Sequence, residues 1–215
     1  MKIIIGKNTA VSVQKTLGTA KAVTACSKAA NPALTVTGHG LAVGDWVLCA
    51  FPGTMAALDG QIARVKTVPD ASSITLEGVD TSFAQYTAYS GSDATVTKIS
   101  AWEPFDNVKT IEVSDGAPDR PDASTVHDTR KQSIIGLDGE LTGSLQLGTN
   151  PSQAAVALLR AAAIGGTKLA VLVVNPTQTV AFNAEWAGGR GFSLATGQIS
   201  NTQMSLTVKG ELAYV

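Results

Sequence analysis

Two histidines, two cysteines and a scatter of aspartates are the residues of this chain best suited to catalysis or metal binding, and their spacing does not bring them together. His39 lies in the glycine-rich turn GHGLAVGD and His127 in a distant polar stretch. A lone turn histidine beside glycines ordinarily serves as a hydrogen-bonding group, not as a ligand or base. Cys26 and Cys49 fit neither a CxxC nor a Cys/His zinc spacing and read as reduced, partly buried thiols. Asp115, Asp119, Asp122 and Asp128 lack the alternate-residue ligands and closing glutamate of a calcium loop. Gly188, Gly189 and Gly191 of AGGRGF join two strand patterns and open no helix, so they read as a hairpin turn sooner than as a phosphate cradle. HExxH, GxSxG and P-loop patterns are missing from the sequence. With no converging acid, base and nucleophile, no catalytic residue, metal or cofactor is expected, and the chain is not read as an enzyme.

The composition agrees. Charged residues make up 15% of the chain and the formal net charge is -1, against roughly 25% charged in ordinary soluble domains. Tight binding to nucleic acid depends on Lys and Arg displacing counterions from phosphate, and this chain has no such basic field. The N-terminal MKIIIGKNTAV is too short for a signal h-region, and no apolar run reaches membrane-spanning length, so folding in cytoplasm is expected.

The elements that position these residues are mostly strands. KAVTACS, ALTVTG, DWVLCAF, QIARVKTV, SSITLEGV, ATVTKIS, VKTIEVSD, GELTGSLQL, KLAVLVVNP, TVAFNAEW and QMSLTVKGEL are separated by Gly, Pro, Asn and Asp clusters. One segment reads as helix over 151–164: Asn150 can cap it, Pro151 suits its first turn, and Gly165 ends an Ala-rich run. The texture changes near residues 20 and 100. We read 20–100 as an inserted small β-barrel domain, and 1–19 with 101–215 as a core domain whose helix connects two strands of its sheet. The polar stretch 114–131 exceeds the 12–15 residues usual for loops in compact domains, and so is either floppy or grips a partner. Trp46, Phe51 and Tyr86 suit either a core or a binding platform.

Three strands alternate strictly, which puts their side chains on opposite faces. Leu137, Leu141, Leu145 and Leu147 oppose Asp138, Glu140, Thr142, Ser144 and Gln146. Val180, Phe182, Ala184 and Trp186 oppose Thr179, Ala181, Asn183 and Glu185. Met204, Leu206, Val208, Leu212 and Tyr214 oppose Gln203, Ser205, Thr207, Lys209 and Glu211. The wet sides carry four acids (Asp138, Glu140, Glu185, Glu211) and one base, Lys209. Lysines commonly blunt exposed sheet edges, so their scarcity suggests edges that pair with something.

The order of GELTGSLQL, the helix beginning NPSQ, KLAVLVVNP and the closing TGQISNTQMSLTVKGEL resembles the major tail tube proteins of long-tailed, siphovirus-like bacteriophages, over 101–215 and the N-terminal strand. The stretch VTGHGLAVGDWVLCAFPGTMAALDGQIARV, followed by SITLEGVDTS, is similar to a small β module recurrent in phage tail proteins. The resemblance implies a mainly β fold: a β-sandwich, barrel-forming tube core with one helix, plus the inserted barrel. It implies hexameric rings in which each subunit donates strands to a shared barrel, stacked into a channel for DNA ejection. Lumen-facing residues would then be Asp138, Glu140, Thr142, Ser144, Gln146, Asn183, Glu185, Gln203, Ser205, Thr207 and Glu211. The long loop, with Asp115, Asp119, Arg120, Asp122, Asp128, Arg130 and Lys131, would clasp a neighbouring subunit. Val156, Leu159 and Ala163 would seat the helix on the outer side of the sheet, and the insert would project outward. The implied partners are other copies of the chain, tape measure, tail terminator and tail tip proteins, and DNA in transit, with assembly in the host cytoplasm. The alternative is a carbohydrate- or receptor-binding β module of the tail exterior or tip.

Overall fold

The computed structural model describes residues 9–53, 55, 58–106, 108–116, 139–148, 153–188 and 202–215. Within them are twelve β-strands and one α-helix, the mainly β architecture that the strand patterns predict.

Strand β1 (Ala10–Leu17) precedes a six-strand barrel built from β2 (Lys21–Cys26), β3 (Ala33–Thr35), β4 (Trp46–Ala50), β5 (Ile62–Asp70), β6 (Ser73–Glu77) and the first part of β7 (Tyr89–Pro104). The strands pair antiparallel in the order β2-β3-β6-β5-β4-β7, and β7 returns to β2, so the barrel closes on itself. Closure removes free edges. Its core packs Val23, Leu34, Val47, Cys49, Phe51 and Leu76, with the rings of Phe51 and Tyr89 edge to face at 5.3 Å. Phe51 and Trp46 are therefore core residues, whereas Tyr86 is only partly buried and its ring lies edge-on to exposed Phe83. Cys26 and Cys49 are buried free thiols, and burial pushes both up to about 12.

Two polar side chains pin turns of the barrel. His39 is buried; its Nδ1 accepts from the Leu41 amide (2.9 Å), which leaves Nε2–H to donate to the Asp70 carbonyl (3.1 Å). Tyr89 turns its hydroxyl into a bulge of its own strand, accepting from the Ala94 amide (2.9 Å) and donating to the Asp93 carboxylate.

The rest of the chain adds β8 (Val108–Gly116), β9 (Gly139–Leu147), α1 (Ala154–Gly165), β10 (Lys168–Asn175), β11 (Gln178–Gly188) and β12 (Thr202–Tyr214). Here the order is β7-β1-β10-β11-β12-β9-β8, each pair antiparallel. β10 and β11 join in a two-residue hairpin turn, where Asn175 Oδ1 accepts from the Thr177 amide as Asx turns do. Helix α1 begins after Gln153, whose backbone is extended and whose Nε2 donates to Asp106 Oδ2 (3.1 Å). The expected cap Asn150 and first-turn Pro151 lie outside the described residues. The helix runs one residue past the expected stop, because the left-handed cap position (φ 62) falls on Gly166 and not on Gly165. It buries Ala155, Val156, Leu159 and Ala162 against the apolar sides of β1, β10 and β11, with Ala163 partly buried beside them.

The change of texture near residue 100 is not a linker. Strand β7 runs unbroken through it, pairing with β2 and β4 by its first part and with β1 by residues 99–104. A third apolar cluster joins barrel and sheet, with Trp46, Ile62 and Ile99 against Ala170, Ala181 and Ala213.

Candidate functional site

The alternation read from the sequence sorts the side chains of β9, β11 and β12 as two faces. Leu145, Leu147, Val180, Phe182, Ala184, Trp186, Met204, Leu206 and Val208 are buried together in one cluster, with Leu141, Leu212 and Tyr214 partly buried at its rim. Across the sheet the opposite residues fall into register. Glu112, Ser144, Ser205 and Ala187 form one rung of four strands; Ser114, Thr142, Thr207 and Glu185 form the next. Thr110, Gln146 and Gln203 make a third. Threonine and serine pairs directly opposite one another also stabilise such ladders.

Glu112, Ser114, Thr142, Ser144, Ser205 and Thr207 line an open groove on this face. Gly143 lies under it, where a Cβ would run into the Glu112 carbonyl. Glycine there lets β8 and β9 approach closely. Lys209 holds the charge centre of the face: its ammonium lies 3.9 Å from Glu140 and 3.8 Å from Glu185. Glu211 is exposed. The face thus presents neutral hydroxyls and amides, carboxylates that only accept hydrogen bonds, and a lysine already flanked by two acids. A phosphate backbone would find weak donors here and little charge to hold it.

The structure places the expected residues unequally. Glu140, Thr142, Glu185, Gln203 and Ser205 are exposed on this face, Ser144, Gln146 and Thr207 are half-buried in it, and Glu211 is exposed farther along β12, past Lys209. Asn183 requires a correction. It is buried, and its Nδ2 donates to the Gly60 carbonyl of the barrel at 3.0 Å, so its side chain has no open surface to offer a channel. Ala181, on the same side of β11, is also buried, under Trp46 and Ile62. The barrel covers this end of the wet face. Asp138, Asp119, Arg120, Asp122, Asp128, Arg130 and Lys131 lie outside the described residues. Asp115 is described as an exposed residue near the end of β8. Partial burial first, and the Asp115 carboxylate second, push the Tyr214 phenol above its ordinary value.

Strand β8 also belongs to this surface, through Thr110, Glu112 and Ser114, which the sequence reading did not include. The signal was present: VKTIEVSD alternates around buried Ile111 and Val113 as the other three strands do. Among the described residues β8 pairs with β9 and stands last in the strand order of the sheet.

No group of three His, Cys, Asp or Glu suited to a metal ion occurs among the described residues, and no helix there is long and apolar enough to cross a membrane. A closed barrel fused by the continuous strand β7 to a sheet with a polar, acid-tinged face defines a mainly β protein. A family model described as phage tail tube protein (TTP) matches residues 53–215, and the chain belongs to that family. The match begins between β4 and β5 and so extends into the barrel. No curated protein sequence matches the chain. The family is one of structural tail proteins and not of enzymes, which makes this chain a component of the virion tail.

Proposed function

We propose that copies of this chain assemble side by side into hexameric rings, stacked as the tail tube, with the polar face of β8, β9, β12 and the end of β11 lining the channel through which DNA leaves. The observation that carries this reading is the continuous wet surface across four strands in register. A second copy of the chain can extend such a sheet by strand addition while continuing the same alternation. A wall of hydroxyls with its lysine between two carboxylates lets phosphates pass without trapping them.

Residues 20–100 act in this reading as an inserted barrel domain. The connector between β8 and β9, with Asp119, Arg120, Asp122, Asp128, Arg130 and Lys131, reaches a neighbouring subunit or ring through ion pairs. Assembly takes place in the host cytoplasm, and tape measure, terminator and tip proteins complete the tail. Negative-stain microscopy of the purified protein tests the reading: rings or tubes with a central hole are expected. Monodisperse monomers that bind a glycan array would contradict it and favour a receptor-binding module.

A further inference from the structure

The pairing of β11 with β12 is interrupted at one place. Ala181 faces Ala213 and Asn183 faces Lys209, so Gly210, Glu211 and Leu212 stand opposite Phe182 alone. Such a bulge takes the Glu211 amide and carbonyl out of the β11–β12 register, and buried backbone groups are almost always paired. The barrel provides the partner. Gln61, itself 3% exposed, brackets Glu211: in the orientation that satisfies both ends of its carboxamide, Nε2 donates to the Glu211 carbonyl (2.9 Å) and Oε1 accepts from the Glu211 amide. A carboxamide carries the donor and acceptor of a peptide group, so Gln61 acts as one residue of a missing strand.

The neighbours fit the same purpose. Gly210 has φ 83, a conformation that side chains rarely adopt, and a Cβ there would collide with the Gln61 carboxamide. Gly60, one residue before Gln61, takes the Asn183 hydrogen bond. Two adjacent residues of the barrel are thus held by two adjacent strands of the sheet. Around them the sheet offers alanines, Ala170, Ala181 and Ala213, which let Trp46 and Ile62 approach closely.

We propose that the barrel is a fixed brace of the sheet and not an outward, independently mobile decoration, and that Gln61 is the residue that locks it onto the bulge of β12. Joints that permit domain motion are small and polar; this joint is apolar, buried and crossed by the continuous strand β7. Bulges bend the strand that carries them, and this one lies just past Lys209, where the polar rungs give way to the covered end of the face. In the assembled tube, which rests on the reading above, the lock fixes the curvature that each subunit brings to its ring.

Two measurements on the full chain test this. Spin labels on Val43→Cys in the barrel and Ile164→Cys on α1 sit at exposed positions, while the native thiols are buried. A narrow distance distribution is expected, broadening in the Gln61→Ala/Asn183→Ala variant; a broad distribution in the unmodified pair, or an equally narrow one in the variant, overturns the proposal. Hydrogen exchange at the Glu211 amide should rise about tenfold in Gln61→Ala. If that variant fails to fold, Gln61→Met keeps the bulk without the polar ends, and the same rise is expected while the Val65 amide, which donates to the Asp45 carbonyl (2.8 Å) within the barrel, stays protected. Unchanged exchange at Glu211 overturns the lock. For assembly, the variants are expected to give tubes of irregular diameter. Should the unaltered protein form no rings, the channel reading fails, while the distances and exchange rates still decide the brace.

Discussion

Lys209 on β12 lies 3.8 Å from the Glu185 carboxylate on β11, diagonally across the sheet, with Glu140 of β9 at 3.9 Å on its other side. These side chains are one-third to three-quarters exposed, so the pairs contribute under about 1 kcal/mol to folding. Their effect is on the surface field. A cation that would otherwise contact phosphate is held between two acids.

Reversing that field is expected to harm passage and not assembly. Glu140→Lys, Thr142→Lys and Glu211→Lys alter exposed positions and should change stability by no more than about 0.5 kcal/mol each. Tubes carrying all three should form normally yet eject DNA poorly, because each added lysine offers a phosphate contact. Infectivity equal to that of the unaltered phage would count against these residues facing the channel.

Asn183 behaves as a structural residue. Replacing it with alanine leaves the Gly60 carbonyl without its partner, which should cost about 1–3 kcal/mol. Thermal unfolding measures this directly. A melting temperature equal to that of the unaltered protein would show that water or another group satisfies Gly60 equally well.

The same residue shows where the sequence stops being informative. Period-two alternation separates Phe182 and Ala184 from Asn183 and Glu185 correctly, because it reports which face of a strand a side chain occupies. It does not report what covers that face. Ala181 packs with Trp46 and Ile62 and Asn183 bonds to Gly60, all far away in the chain, and only the fold brings these together. The path of β7 was hidden for a related reason. The composition changes near residue 100, but a strand needs only continuous ladder partners, and β2, β4 and β1 supply them in turn. For the helix, the Ala-rich run was legible and its ends were not, since Gly165 and Gly166 offer the same left-handed freedom.

Acid should weaken one turn of the barrel. The Ser72 amide donates to Asp70 Oδ1 (2.6 Å) and the Ser73 hydroxyl to Oδ2 (2.8 Å), and these bonds, the first foremost, hold the Asp70 carboxyl below its ordinary 3.8. A carboxyl with a lowered folded-state value stabilises the fold above its unfolded value, and that contribution is lost as pH falls through the folded one. The gap in melting temperature between the unaltered protein and Asp70→Ala should therefore be constant near neutrality and close below pH 3.8. A gap independent of pH would mean that the carboxylate charge plays no part in the turn.

The channel reading turns on which face of the sheet looks inward. A cryo-microscopy reconstruction of the assembled tube tests it most directly. Thr142, Ser144, Ser205 and Thr207 are expected to border the central channel, with α1 on the far side of the apolar core. A channel bordered by α1, or by the barrel, would contradict it.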